Sequence, residues 1–166
     1  MKGIWQRLLV AALAAGGLFG ALRAELAGEL APDFALRSVG GQNYRLSEYR
    51  GQVVLLSFWA SWCGECRSQL EELAGLYDRY AGSGLEMFAI SLDRELDEVG
   101  DAARAIGVGF PTLHDPAGEV GEQYAVDRVP YVVLIDQDGV VRDEFVGYRT
   151  GEEDRYLERA RALLAD

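Results

Sequence analysis

The stretch from Val53 to Cys66, VVLLSFWASWCGEC, decides the fold of this 166-residue chain. It begins with an apolar run of strand length, rich in bulky and β-branched side chains, which is typical of a buried strand. A pair of cysteines two residues apart follows, and a helical spacing of apolar residues begins at once. The stretch therefore predicts a strand that delivers Cys63 and Cys66 to the first turn of a helix, where backbone N–H groups and the helix dipole stabilise a thiolate.

The flanking segments alternate between strand and helix patterns. Residues 34–36 and 44–46, with a glycine-rich turn between them, predict an N-terminal β-hairpin. Asp93 is placed to cap the helix that follows it. The other predicted elements are strands over residues 85–92, 131–136 and 140–146, a short extended segment over 110–113, a turn and short helix over 115–124, and helices over residues 63–80, 95–106 and 152–164. This order indicates an α/β domain with a mixed central β-sheet and helices on both faces.

Composition and charge limit the classes of partner. The chain is 49% hydrophobic and 26% charged, which is ordinary for a globular protein, and its length suits one domain plus a targeting segment. Its net charge is −11. So acidic a chain is unsuited to nucleic acid or to an anionic membrane surface, and we expect no nucleic-acid partner.

The N-terminus has the pattern of an export segment. Lys2 and Arg7 precede an uncharged run of fifteen residues, 8–22, which is shorter than the ~20 residues of a comfortable membrane span. We predict a signal peptide or membrane anchor at residues 1–24, a linker at 25–30 and one folded domain at 31–166. The domain is then extracytoplasmic. An ordinary apolar N-terminal helix is the alternative.

Three interpretations compete for the cysteine pair. A structural disulfide across two residues closes too short a loop to restrict the unfolded chain much. A metal site needs two further ligands, and the chain has one histidine, His114, and no other cysteine. We therefore expect no metal and no cofactor, and favour a redox pair. Cys63 is then the exposed, attacking thiol, and Cys66 resolves the mixed disulfide.

Glu65 lies between the two cysteines. A carboxylate there opposes thiolate formation and argues against a very strong oxidant. The alternative is a solvated Glu65 with little influence on the pair.

The motif around the pair is specific enough to name a family. Trp62–Cys66 after Phe58-Trp59-Ala60-Ser61, with Val129-Pro130 later, resembles the thioredoxin superfamily and, more narrowly, its TlpA/ResA-like extracytoplasmic branch. The resemblance runs from Ala31 to the C-terminus and implies a thioredoxin-like fold for residues 31–166. Peroxiredoxins share the opening at residues 31–34, but the paired cysteines beside Trp62 separate the two groups.

The resemblance also implies roles for site residues. Pro130 is expected to be a cis-proline that faces the cysteine pair. Val129 and Pro130 are expected to offer backbone and apolar surface to the partner's extended chain, with Trp62 beside the exposed sulfur. From the sequence alone, a trans proline at a strand entrance is the simpler interpretation of Pro130.

Two positions depart from the family pattern. Many thioredoxins have a buried aspartate six residues before the first cysteine, where this chain has Ser57. Some ResA-like reductases have a glutamate three residues after the second cysteine, where this chain has Gln69. Neither side chain can accept a proton as a carboxylate does, so Glu65, Glu71 and water stay open as acceptors for Cys66.

We predict an extracytoplasmic thiol–disulfide oxidoreductase that reduces protein disulfides through a Cys63–Cys66 dithiol/disulfide cycle. Its expected partners are protein disulfides or dithiols and a membrane-bound or thioredoxin-type electron donor, and we expect a monomer. The alternatives are a peroxiredoxin-like peroxidase, for which Arg67 is the one nearby arginine, and a non-catalytic thioredoxin-fold binding module or metal chaperone.

Overall fold

The computed structural model describes residues 26–80 and 82–165, in which seven strands form one sheet flanked by four helices. The strands are β1 (Ala35–Ser38), β2 (Asn43–Arg45), β3 (Val53–Trp59), β4 (Leu85–Ser91), β5 (Thr112–His114), β6 (Tyr131–Ile135) and β7 (Val141–Val146). The helices are α1 (Gly64–Tyr80), α2 (Leu96–Ile106), α3 (Glu119–Gln123) and α4 (Glu152–Ala165), and a 3₁₀ turn covers Leu46–Tyr49.

The strand order is β2-β1-β5-β4-β3-β6-β7. β3, β4 and β5 run parallel, and the strands at both sides of this trio pair antiparallel with it. The predicted mixed sheet is therefore confirmed. The N-terminal hairpin is also confirmed, because β1 and β2 pair antiparallel around the glycine-containing turn.

β3 lies between β4 and β6, and all seven of its residues are buried. Its side chains alternate between two cores, as the pleat of a strand requires. Val53, Leu55 and Trp59 pack in the core beneath α1, α2 and α4. Val54 and Leu56 pack in the opposite core, which includes residues of α3. Burial on both faces explains why the strand is a continuous apolar run rather than an alternating one.

The chain entering the domain runs along the β6–β7 hairpin. The Leu26 N–H donates to the Glu144 carboxylate (3.0 Å), the Gly28 N–H to the carbonyl of Val141 (2.8 Å), and Leu30 forms a bridge with Val140. This part of the predicted 25–30 linker thus lies against the folded domain. The predicted export segment at 1–24 lies outside the described residues. Among the helices that are described, none has the length and apolar character needed to cross a membrane.

The turn between β6 and β7 is organised by one carboxylate. Asp136 accepts hydrogen bonds from the N–H groups of Asp138 (3.0 Å) and Val140 (2.8 Å) and from Arg142 Nε (2.5 Å). Gly139 sits in this turn with a φ of +80°, a conformation that glycine adopts without strain. Side-chain hydrogen bonds and a glycine thus set the tight turn that the sequence predicts here.

The predicted capping role of Asp93 is wrong. α2 begins at Leu96, the N-cap position is Glu95, and no side chain caps it. The Asp93 side chain is buried and accepts hydrogen bonds from Ser61 and Ser91 instead. Asp93 follows β4 closely and lies beside the loop after β3. Its carboxylate therefore pairs with the serine donors there rather than with the N–H groups at the start of α2.

Candidate active site

The two cysteines lie where β3 delivers the chain to α1. They form a disulfide with Cα atoms 5.2 Å apart, and the Cys66 N–H donates to Cys63 Sγ (3.1 Å). Cys63 directly precedes α1 and is partly exposed, whereas Cys66 lies in its first turn and is fully buried. One sulfur is therefore reachable from solvent, and the other can be reached only from within the protein.

The loop before Cys63 is held from two sides. The Cys63 N–H donates to the carbonyl of Ala60 (3.1 Å). The Ser61 N–H and hydroxyl both donate to the Asp93 carboxylate, each at 2.8 Å. Asp93 is itself fixed by the Ser91 hydroxyl (2.7 Å). Asp93 thus links the loop to the end of β4, and this link sets the path along which the chain reaches Cys63.

The two tryptophans of the motif have different environments. Trp59 is fully buried in the core beneath α1, whereas the side chain of Trp62 is 78% exposed directly beside Cys63. An exposed tryptophan costs solvation free energy that contact with a partner can recover. Trp62 therefore has the environment of a contact residue, and Trp59 that of a core residue.

A groove of about 650 Å³ opens beside the disulfide. Trp62, Cys63 and Val129 line it, so the structure brings these three sequence-predicted residues together. The Val129–Pro130 peptide bond is cis, as the resemblance implies. Pro130 itself is buried behind the groove, and its carbonyl accepts a hydrogen bond from the Gly147 N–H (2.8 Å).

Other residues of this groove were not found from the sequence. Arg128 comes from the loop before β6, Tyr148 and Arg149 come from the segment between β7 and α4, and Glu152 is the first residue of α4. Arg128 could have been noticed because it precedes Val129-Pro130. The other three are distant from the cysteines along the chain, and no pattern in the sequence connects them. Burial raises the pKa of Tyr148, and its hydrogen bond to Glu153 (2.6 Å) adds to this effect.

Between β3, α1 and α4, three buried polar side chains form a chain of hydrogen bonds. Ser57 Oγ donates to Gln69 Oε1 (2.8 Å), and Gln69 Nε2 donates to Tyr156 Oη (3.3 Å). Burial raises the pKa of Tyr156 to about 12, so its hydroxyl is neutral at physiological pH. The sequence identified Ser57 and Gln69 as departures from the family pattern, but it did not indicate that they contact each other or Tyr156.

His114 is the last residue of β5. Its Nε2 is 2.9 Å from the carbonyl oxygen of Asp93. Among the residues described, no group of three or more His, Cys, Asp and Glu side chains is arranged to hold a metal ion. The contacts of His114 are those of a strand-end residue that joins two neighbouring loops.

Comparisons with known proteins agree with this geometry. A profile of the AhpC/TSA family matches residues 27–144. The thiol-disulfide oxidoreductase ResA of Geobacillus kaustophilus is 36% identical over 132 residues, which cover 79% of this chain and 76% of that protein. A candidate thiol:disulfide interchange protein DsbE from Chlorobium tepidum superposes with a TM-score of 0.79 at 33% identity, over 83% of this chain and 97% of that chain.

The fold itself has a further counterpart. The thioredoxin domain of the thiol-disulfide oxidoreductase BVU-2223 from Bacteroides vulgatus superposes with a TM-score of 0.73 over 82% of this chain and 97% of that domain, at 21% identity. The expected thioredoxin-like fold is thereby confirmed.

Proposed function

Since the chain belongs to the AhpC/TSA family of thioredoxin-like proteins and is a thiol–disulfide oxidoreductase, we propose that it reduces disulfides in protein partners. One observation carries the proposal. Cys63 is partly exposed at a groove, and Cys66, bonded to it, is fully buried. A partner can therefore reach only Cys63, and the covalent intermediate can be resolved only from inside.

The reaction follows from this asymmetry. In the reduced protein, the Cys63 thiolate at the start of α1 attacks one sulfur of the partner's disulfide. A Cys63–partner bond forms, the partner's S–S bond breaks, and its second sulfur leaves as a thiolate. The Cys66 thiolate then attacks Cys63, the Cys63–Cys66 disulfide forms, and the partner leaves with the two electrons. The N-terminal end of α1 favours negative charge on Cys63 during the first step.

The residues around Cys63 suit an extended polypeptide. We assign Trp62 and Val129 to apolar contact with the partner, because both line the groove beside the attacked sulfur. We assign Pro130 to shaping the groove wall from behind, since it is buried and bonded to Gly147. Backbone at residues 128–129 is then available for pairing with the partner's chain.

We further propose that the protein works outside the cytoplasm. The positive start and uncharged run at residues 1–24 support export or anchoring outside the cytoplasm. A membrane-bound or thioredoxin-type donor would return the protein to its reduced state, and the protein would act as a monomer.

Trapping tests the proposed function. Cys66→Ser should leave Cys63 joined to partner proteins in mixed disulfides that a reductant releases. Cys63→Ser is the matched control and should trap none, because the remaining thiol is buried. Equal trapping by the two variants, or none by Cys66→Ser, would contradict the proposal. In the latter case, rapid consumption of hydrogen peroxide by Cys63 would favour the peroxidase alternative.

The direction of electron flow has its own test. The reduction potential of the Cys63–Cys66 pair should lie nearer to about −270 mV, as in a reductant, than to about −120 mV, as in a strong oxidant. Equilibration with glutathione or dithiothreitol buffers measures it. A value close to the oxidant would contradict the reductive direction but not the exchange chemistry.

A further inference from the structure

The groove beside Cys63 holds two arginine side chains that the reaction itself does not use. Arg128 precedes β6, and Arg149 follows β7. Both are exposed, and both line the same groove of about 650 Å³ as Cys63. The chain as a whole carries a net charge of −11. Two cations at one groove therefore oppose the general charge of the protein, and they give this groove a local preference for negative groups.

The backbone brings the two arginines to one part of the groove. A Cβ atom at Gly147 would lie 3.6 Å from Nη2 of Arg128, so the Arg128 guanidinium lies over the backbone two residues before Arg149. The Gly147 N–H donates to the carbonyl of Pro130 (2.8 Å), and the Arg149 N–H donates to the Glu152 carboxylate (2.9 Å). The segments that carry the arginines are thus joined to each other and to α4.

The two guanidinium groups are available to a partner. In the part of the chain that the structure describes, no hydrogen bond or ion pair engages the side chain of Arg128 or Arg149. By contrast, Arg45, Arg142 and Arg159 are each paired with a carboxylate. A guanidinium can form two parallel hydrogen bonds with a carboxylate, a geometry that the ammonium group of a lysine does not offer.

Two carboxylates line the groove as well, and their surroundings differ. Glu152 already has a cation of its own, because it lies 3.8 Å from the Arg155 guanidinium. Glu65 is exposed in the first turn of α1, between the two cysteines. Asp127, next to Arg128 in the sequence, is not among the residues that line the groove. The groove thus presents positive side chains from the segments next to β6 and β7 and a negative one from α1.

We propose that Arg128 and Arg149 are specificity-determining residues that bind a carboxylate beside the target disulfide, so that the preferred partner is a protein segment with Asp or Glu next to its reacting cysteine. The inference rests on the proposed function, because it names the substrate class of the same groove. The arginines hold the partner's carboxylate by charge-assisted hydrogen bonds while Cys63 attacks the neighbouring sulfur.

Three small disulfides of different charge test this preference on the reduced wild-type protein. Dithiodipropionate carries two carboxylates, hydroxyethyl disulfide is neutral, and cystamine carries two ammonium groups. Acid stops each reaction and precipitates the protein. Its remaining thiols are then counted in denaturant with dithiobis(nitrobenzoate), an aromatic disulfide that releases a coloured thiolate. Rates with dithiothreitol, a neutral dithiol, give the intrinsic reactivity of each disulfide, and every protein rate is divided by the corresponding dithiothreitol rate.

The measured quantity is the corrected rate with dithiodipropionate divided by that with hydroxyethyl disulfide. We expect a ratio of about five, because two unit charges about 4 Å apart in water attract enough to change a rate about fivefold. The ratio should fall towards one as salt rises from about 0.05 M to about 0.5 M, since salt screens exposed charges. An acidic chain without such a site predicts the reverse. A ratio at or below one that rises with salt, with cystamine the fastest of the three, would overturn the inference.

Substitution assigns the preference to the two arginines. Arg128→Gln and Arg149→Gln should each lower the ratio about threefold, and the double variant should bring it to about one or below. The ratio cancels any change in the Cys63 thiol, because the same thiolate attacks both disulfides. Arg79→Gln is the matched control. It removes an exposed charge in the last turn of α1, about 20 Å along the helix, and should leave the ratio unchanged.

Peptides extend the test to the proposed partner class. Two peptide dimers are used, each joined by one disulfide and differing only in Asp or Asn after the cysteine. After correction by dithiothreitol, the Asp dimer should react about fivefold faster with the wild-type protein and no faster with the double variant. Equal rates for the two dimers, or a ratio that neither substitution lowers, would overturn the inference and leave the exchange chemistry intact. Failure to reduce any of the disulfides would instead overturn the proposed function, and this inference with it.

Discussion

Replacing Asp93 with alanine removes the carboxylate that ties the loop before Cys63 to the end of β4. Asp93 is 4% exposed and accepts hydrogen bonds from the Ser61 N–H (2.8 Å), the Ser61 hydroxyl (2.8 Å) and the Ser91 hydroxyl (2.7 Å). Hydrogen bonds to a charged group contribute about 1.5–3 kcal/mol each. Ser61 is partly exposed and can bind water after the substitution, whereas Ser91 is buried and cannot.

We therefore expect Asp93→Ala to lower the free energy of unfolding by about 3–5 kcal/mol, less than the sum of three full hydrogen bonds. Asp93→Asn keeps one acceptor oxygen and should lose about 1.5–3 kcal/mol. Urea unfolding of the oxidised protein, followed by circular dichroism, measures both values. The same variants should slow the attack of Cys63 on dithiobis(nitrobenzoate) severalfold, because the loop that positions Cys63 is no longer held.

Asp101→Ala is the matched control. Asp101 also pairs with a partner, Arg104, at 2.6 Å, but both side chains are at least 75% exposed. An exposed pair of this kind contributes little, so the free energy of unfolding should change by no more than about 0.5 kcal/mol. If Asp93→Ala cost less than about 1 kcal/mol and left the rate of Cys63 unchanged, Asp93 would not position this loop.

Three further outcomes are expected. Trp62→Ala should raise the KM for a protein disulfide about tenfold, because it removes an apolar contact with the partner. It should change the free energy of unfolding by no more than about 0.5 kcal/mol, because Trp62 is 78% exposed. An unchanged KM would count against the partner contact. Leu70→Ala should cost about 2–5 kcal/mol in urea unfolding, since Leu70 is fully buried beneath the sheet. Burial acts to raise the pKa of Asp136, but hydrogen bonds from the Val140 N–H and Arg142 outweigh it and lower this pKa below its ordinary 3.8. A carboxylate with a lowered pKa stabilises the fold above pH 3.8, and this stabilisation is lost as the pH falls through the pKa of the folded protein. Asp136→Asn should therefore lower the free energy of unfolding by about 1.5–3 kcal/mol at pH 7. The difference in free energy of unfolding from the wild-type protein should narrow in acid.

Local sequence patterns determined most of the secondary structure. A strand buried on both faces is apolar at nearly every position, with Ser57 the exception here, so a strand at residues 53–58 was identifiable without any knowledge of its neighbours. The hairpins at β1–β2 and β6–β7 were identifiable for a similar reason, because their turns require glycine and short polar side chains at fixed places. Cys63 and Cys66 were found because a thiol pair at the start of a helix has a chemistry of its own.

The tertiary structure alone decided which distant residues surround that pair. Gln69 and Tyr156 are 87 positions apart along the chain, and Ser61 and Asp93 are 32 apart. A hydrogen bond between such residues leaves no periodic trace in a sequence, because it depends on how strands and helices are stacked. For this reason Asp93 was misassigned to a nearby helix end, and Tyr148 and Arg149 were not recognised in the groove. The sequence alone thus identified the two cysteines of the proposed reaction, whereas packing decided which distant side chains hold the loop before Cys63 and line the groove beside it.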